Sequence, residues 1–201
     1  MAELPEILWQ PQDPEQTPMS AYRRHVNSKF GLSLHNTQEL QTWSVQQDQD
    51  FWVDLYGYLE LVPSLPKGIT KAYDGSLPMS AVPKWFEGLE LNYAENVLTN
   101  ADFVPNQLAL IGIREGMSVG GDERATWAEL RERVRMVSNA LRNRGVKQGD
   151  VVAALVSTSV ESIVLFLSTA CVGAAFSSIS PDLGAEVRVG KPSHVCQLTR
   201  V

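Results

Sequence analysis

The feature that most limits how this chain can fold lies between Gly149 and Pro181. Val151 to Val156 is a short apolar run entered through the turn pair Gly149-Asp150. Thr158-Ser159-Val160-Glu161 reads as a capping box that starts an apolar helix, and Gly173 supplies its stop. Ala174 to Ile179 is a second apolar run, of small residues, which Pro181 breaks. Strand, helix and strand within about thirty residues form a βαβ unit. Parallel strands need such a crossover, and it is right-handed in nearly all cases. The two runs are therefore expected to be parallel neighbours or near-neighbours, which makes the fold class α/β.

Upstream the pattern continues. Leu108 to Ile113 reads as a strand and Glu115 to Glu123, with Gly116, Gly120 and Gly121, as a turn. Thr126-Trp127-Ala128-Glu129 is a capping box: the Thr oxygen takes the third amide and the Glu reaches back. Trp127, Leu130, Val134, Val137 and Leu141 follow at spacings of three and four, and Gly145 ends the helix. Residues 105–185 thus read as the start of a parallel βαβ sheet domain, incomplete within this sequence.

The N-terminal part follows another grammar. Residues 1–18 are rich in Pro, Gln and acids and read as a flexible arm, with Trp9 docked. Residues 19–104 read as a helical accessory segment. Tyr22, Val26 and Phe30 form one stripe that Gly31 stops. Thr37 is read as the N-cap of a second helix to Ser44, and a third runs from Asp50 to Leu59 with Phe51, Trp52, Leu55, Tyr58 and Leu59 on one face. Pro and Gly punctuate 63–90, and a short helix is expected over 91–100. Residues 186–201 show no stripe and read as a divergent tail.

A net charge of −6 repels phosphate backbones and anionic lipids, so nucleic acid and membrane surface are excluded as expected partners. Two cysteines, Cys171 and Cys196, suggest no disulfide framework, and Met1 to Glu6 shows no signal peptide. A cytoplasmic setting is expected. Between Val160 and Ile179 the only charge is Glu161, which makes a membrane-inserted segment a competing reading. Ser162, Ser168, Thr169, Gly173, Ser177 and Ser178 interrupt it, and no Lys or Arg closely flanks it.

Few residues offer chemistry. His25, His35 and His194 have no metal-ligand spacing, and no metal site is expected. Cys171 sits on the apolar helix as a packing residue, and nothing pairs Cys196 with a base. Trp43, Trp52, Trp85 and Trp127 read as packing residues. Arg131, Arg133, Arg135, Arg142 and Arg144 share a helix with Glu129 and Glu132 and read as a solvated face, weighed against phosphate binding. Ser180, Pro181 and Asp182 stand beyond a strand's carboxyl end, where doubly wound sheets bind ligands; a plain strand-ending turn is the alternative.

Trp85-Phe86-Glu87-Gly88-Leu89-Glu90-Leu91-Asn92-Tyr93-Ala94-Glu95-Asn96 resembles the W-F-x-G-x-x-L-N-Y-A-E-N signature of acetoacetyl-CoA synthetases, among the adenylate-forming acyl-CoA ligases. Trp43-Ser44-Val45, Phe51-Trp52, Ala125 to Leu130, and Ser177 to Ala185 are similar to other stretches of that family. The resemblance covers roughly Ser20 to Ala185. It implies an ATP-dependent reaction in which a carboxylate attacks the α-phosphate and CoA then displaces AMP. ATP, Mg²⁺, CoA and a small acid are the implied cofactors and partners of the full-length family. Ser180, Pro181 and Asp182 would lie on the CoA side. The same resemblance implies a Gly/Ser/Thr-rich phosphate loop followed by Lys, and no such loop occurs in this sequence. No catalytic residue is therefore assigned, and the chain is expected to be inactive alone and to self-associate through an incomplete sheet. A fragment of an acetyl- or other short-chain acyl-CoA synthetase, and a non-catalytic binding module, are the alternatives.

Overall fold

The first long helix, α1 (Pro18–Phe30), begins where proline costs nothing, since the first helical amide has no partner to lose. Thr17 Oγ1 accepts the Ser20 amide at 3.2 Å, and Gly31, at φ +67°, closes the helix in the left-handed conformation. The structure, a computed structural model, describes residues 9–113, 116, 121–181 and 195–198. They fall in two units, Met1–Leu89 and Glu90–Val201.

In the first unit α1 is followed by α2 (Thr37–Gln46) and α3 (Asp48–Tyr58). The cap of α2 is Asn36, not Thr37: its side chain accepts the Glu39 amide at 2.9 Å. Asn is the stronger cap, and Glu39 reaches back to the His35 amide at 2.7 Å. The expected stripe of α1 is buried through Tyr22 and Val26, which meet Leu40 and Trp43 of α2. Helix α3 departs from its expected single apolar face. Phe51 and Leu55 join that first cluster, whereas Tyr56 turns to a second one with Ala72 and Phe86. Trp52, Tyr58 and Leu59 remain exposed, while Asp54 is buried. Phe86 sits at φ +45°, a region non-glycine residues avoid. Its amide bonds Ala72 O at 2.6 Å and its ring packs on Tyr56 at 4.8 Å, which hold it there. Trp9 is 80% exposed, not docked. Glu15, within the segment read as an arm, accepts both Arg23 and Arg24.

The second unit opens with α4 (Tyr93–Leu98) and α5 (Asn100–Phe103). Then β1 (Leu108–Gly112) pairs antiparallel with β2 (Glu123–Thr126). The strand β2 was not expected, and of the turn read over 115–123 only 116 and 121–123 are described. Thr126 ends β2 and caps α6 (Trp127–Asn143) through the expected box, with Glu129 Oε2 accepting the Thr126 amide at 2.8 Å. Strand β3 (Val151–Leu155), helix α7 (Val160–Val172) and strand β4 (Ala175–Ile179) form the expected crossover, and β3 and β4 are direct parallel neighbours. The cap of α7 lies one residue later than expected. Ser159 accepts the Ser162 amide at 3.3 Å and Ser162 Oγ accepts the Ser159 amide at 3.1 Å. Within the expected tail, β5 (Val195–Leu198) adds parallel to the other side of β3.

The core of this unit lies between α6 and α7. Leu130, Val134, Val164 and Leu167 are buried there, each contributing about 1.5–3 kcal/mol. Ser168 Oγ bonds Val134 O at 3.2 Å across the two helices. The Ser162, Ser168 and Thr169 hydroxyls that interrupt the apolar helix are thus spent on neighbouring carbonyls. Among the described residues no helix is long and apolar enough to cross a membrane. The glycine of β1 is a packing device: a Cβ on Gly112 would stand 2.9 Å from Val160 Cγ2.

Candidate functional site

Sheet order β4-β3-β5 means that the winding reverses after β4. In open parallel sheets ligands sit beyond the carboxyl ends of strands at such a reversal. Here that reversal falls between β3, which ends at Leu155, and β5, while the end of β4, at Ile179, flanks β3 on the other side and is followed by Ser180 and Pro181. The last rung is the Val156 amide donating to Ile179 O at 3.1 Å. Small side chains keep the two strands flush, with Ala153 opposite Ser177 and Ala154 opposite Ser178. Beyond β3, Ser157, Thr158 and Ser159 lead into α7.

Ser180 and Pro181, read as candidates, follow the carboxyl end of β4; Asp182 lies outside the described residues. Hydroxyls and a helix start can hydrogen-bond and orient a polar ligand. They cannot offset the charge of a triphosphate. The described part of this strand end carries no Lys, Arg, His or Cys, and Ser159 already occupies the α7 terminus with Glu161 in its first turn. The residues present do not fit ATP by themselves.

The other candidates are engaged elsewhere. His25 Nε2 and Lys29 Nζ both meet Asp54, at 3.0 and 2.6 Å. Burial pushes the Asp54 carboxyl up, but hydrogen bonds from Lys29 and His25, with the charge of Lys29, outweigh it and hold the group below its ordinary value. Burial, and then Asp54's charge, push the Tyr22 phenol far up. The His35 amide donates to Glu39, and His194 lies outside the described residues. Burial pushes the Cys171 thiol up, which suits a packing residue rather than a nucleophile. Trp43, Trp52 and Trp85 pack within the first unit and Trp127 within the second. Arg131, Arg133 and Arg135 pair with Asp102, Glu123 and Glu132. Among the described residues no group of three or more His, Cys, Asp or Glu side chains could hold a metal.

One residue of the Trp-Phe motif has a role that sequence reading missed. Asn92 Oδ1 caps α4 by accepting the Glu95 amide at 3.1 Å, and its Nδ2 donates to Ala170 O at 2.8 Å. One amide side chain thereby satisfies the start of α4 and a carbonyl in the last turn of α7. Asn followed three residues later by Glu is a legible cap signal; the link across the chain is not.

Residues 98–189 match the family described as AMP-binding enzyme. The chain is 36% identical over 179 residues to acetoacetyl-CoA synthetase of Xenopus tropicalis, covering 89% of this chain and 26% of that protein. It is 35% identical over 184 residues to malonamoyl-CoA synthetase vrtB of Penicillium aethiopicum, covering 89% of this chain and 24% of that protein. Among solved structures, acetoacetyl-CoA synthetase from Streptomyces lividans superposes with a TM-score of 0.74 at 29% identity, over 89% of this chain and 27% of that one. Residues 98–189 thus carry the AMP-binding enzyme pattern, and the chain is similar to acetoacetyl-CoA synthetases along 89% of its length while spanning about a quarter of the length of the relatives it matches.

Proposed function

We propose that this chain is the N-terminal part of a ligase that activates a short carboxylic acid with ATP and transfers it to CoA, and that these residues alone do not complete the reaction. The acid's carboxylate would attack the α-phosphate of ATP, releasing pyrophosphate, and the CoA thiol would then displace AMP. The observation that carries the reading is similarity along nine-tenths of the chain to acetoacetyl-CoA synthetases. Acetoacetate and malonamate, the acids named by the relatives, share a carbonyl two carbons from the carboxylate carbon, and an acid of that type is the proposed substrate, ahead of acetate. Ser180, Pro181 and Asp182 would approach CoA. The inactivity rests on the strand end described above, which has no cation for phosphate, and on a sequence without a Gly-rich loop followed by Lys.

Pyrophosphate release by the purified chain with acetoacetate, ATP, Mg²⁺ and CoA tests this. No turnover above background is expected. Turnover that needs acetoacetate rejects the inactivity, and turnover with acetate only rejects the substrate.

A non-catalytic binding module is the second reading. It is favoured by the open face of the parallel sheet, where Leu155 is 55% exposed, since parallel sheets are normally covered on both faces. A monodisperse monomer that binds no dye for apolar surface would count against it.

A further inference from the structure

Strand β4 forms an outer edge of its sheet, because the order is β4-β3-β5. In chain order the three parallel strands read second, first, third. Doubly wound sheets that begin this way add later strands beyond the third, so the outer edge of β4 follows from the winding itself. The Ala175 amide donates to Asp150 O at 2.8 Å, and Ile179 O accepts the Val156 amide at 3.1 Å. Residues 175, 177 and 179 therefore turn their backbone groups to β3, and Phe176 and Ser178 turn theirs outward, where no other described strand meets them. Edge strands that stay single are commonly protected by a charge, a proline or a bulge. Ala174 to Ser180 contains no charged residue, the first proline is Pro181, and the register against β3 runs unbroken from Ala175 to Ile179. Ala175, Ser177 and Ser178 are exposed.

We propose that β4 is a self-recognition strand, to which β4 of a second copy of this chain adds antiparallel about a two-fold axis at Ser177. The inference rests on the binding-module reading and names the partner. Under that axis Phe176 of one copy faces Ser178 of the other, and each such pair exchanges both backbone bonds, as in the hydrogen-bonded pairs of an antiparallel ladder. Ser177 faces its own equivalent, where a small side chain lets the copies approach and the two hydroxyls can bond each other. One patch meets itself, so association closes at two copies. A net charge of −6 pushes copies apart, but a contact through 174–180 brings no like charges together, which makes this edge the place where a second copy is tolerated.

Sedimentation equilibrium of the full chain is expected to show a monomer–dimer equilibrium with no larger species. Ser178→Pro removes an outward donor from each copy without touching a bond to β3, and should weaken association about tenfold or more. If that variant fails to fold, Ser177→Lys, which sets two ammonium groups face to face on an exposed position, should weaken it in the same direction. The register has its own readout. In a chain carrying Cys171→Ala and Cys196→Ser, the added substitution Ser177→Cys places two thiols across the axis with Cα atoms about 4.5 Å apart, within disulfide reach, and mild oxidation should link the copies. Leu155→Cys in the same background, on β3 and away from the axis, should not link. A chain still monomeric at about 0.5 mM overturns the proposal; if that monomer binds apolar dye, the module reading stands without it, and if it binds none, both fall. Association that survives both Ser178→Pro and Ser177→Lys, or linkage at position 155 in place of 177, also overturns it and moves the contact to the open face.

Discussion

Replacing Asp54 with Asn should loosen the first unit by an amount that depends on pH. The carboxylate is 3% exposed and accepts His25 and Lys29 together, tying α1 to α3. Breaking a fully buried ion pair costs about 3–5 kcal/mol, because the surviving partner is stranded. Here the partners are not stranded: the Lys29 and His25 side chains are 54% and 35% exposed and can return to water. What is lost is two charge-assisted hydrogen bonds, less the gain from no longer burying a charge, about 2 kcal/mol at neutral pH. The carboxyl's folded value lies below its ordinary 3.8. Its contribution is therefore fully present above the unfolded value and fades as pH falls through the folded one. Urea unfolding followed by tryptophan fluorescence reads this unit, since Trp9, Trp43, Trp52 and Trp85 lie in it and only Trp127 lies in the other. The Asn variant should be less stable at pH 7 and approach the parent at the acid end of the range, below pH ~4. Equal midpoints at pH 7, or a gap that does not narrow on acidification, would refute the assignment of Asp54 as a charged clamp.

Three further expectations concern the second unit, each read by chemical denaturation. Asn92→Ala loses both the α4 cap and the bond to Ala170 O, about 2 kcal/mol, and Asn92→Ser should recover only the cap's share, about half. Gly112→Ala should cost about 1–2 kcal/mol, because the stiff Val160 side chain must give way, and Val160→Ala in the same chain should cancel the clash term. Ser159→Ala should cost about 1 kcal/mol while Thr158→Ala stays within about 0.5 kcal/mol; the reverse order would return the α7 cap to Thr158.

The elements legible in the sequence are those whose cause is local. The α1 stripe, the Thr126 box and the crossover from β3 to β4 are written in spacings of two to four residues and in glycine stops. Two caps were misread by one residue, at Asn36 and Ser159, because neighbouring Ser, Thr and Asn side chains can all cap. The choice depends on which backbone is extended there, and both Asn36 and Ser159 are. Strand β2 was illegible because Glu-Arg-Ala-Thr has no apolar alternation; its state comes from pairing with Leu108–Gly112. Strand β5 likewise owes its place to β3. The burial of Asp54 is not legible in the sequence because a carboxylate on α3 is buried only if residues 25 and 29 reach it, a fact of tertiary structure.

The strand end that carries Ser180 and Pro181 was legible in the sequence but no chemistry was, and the Trp-Phe motif shows why. Its residues are spent on architecture. Trp85 packs against Tyr73 and Trp52, and Phe86 is buried on Tyr56 in a backbone conformation few residues accept. Asn92 then joins α4 to α7, and Asn96 bonds back to the Asn92 carbonyl at 3.0 Å. A motif can mark a family strongly when several of its residues, as Phe86 and Asn92 here, are held by packing and hydrogen bonding at once. Such a motif identifies the scaffold more firmly than the substrate, so the acyl specificity of this chain's relatives must be sought in residues other than those that make them recognisable.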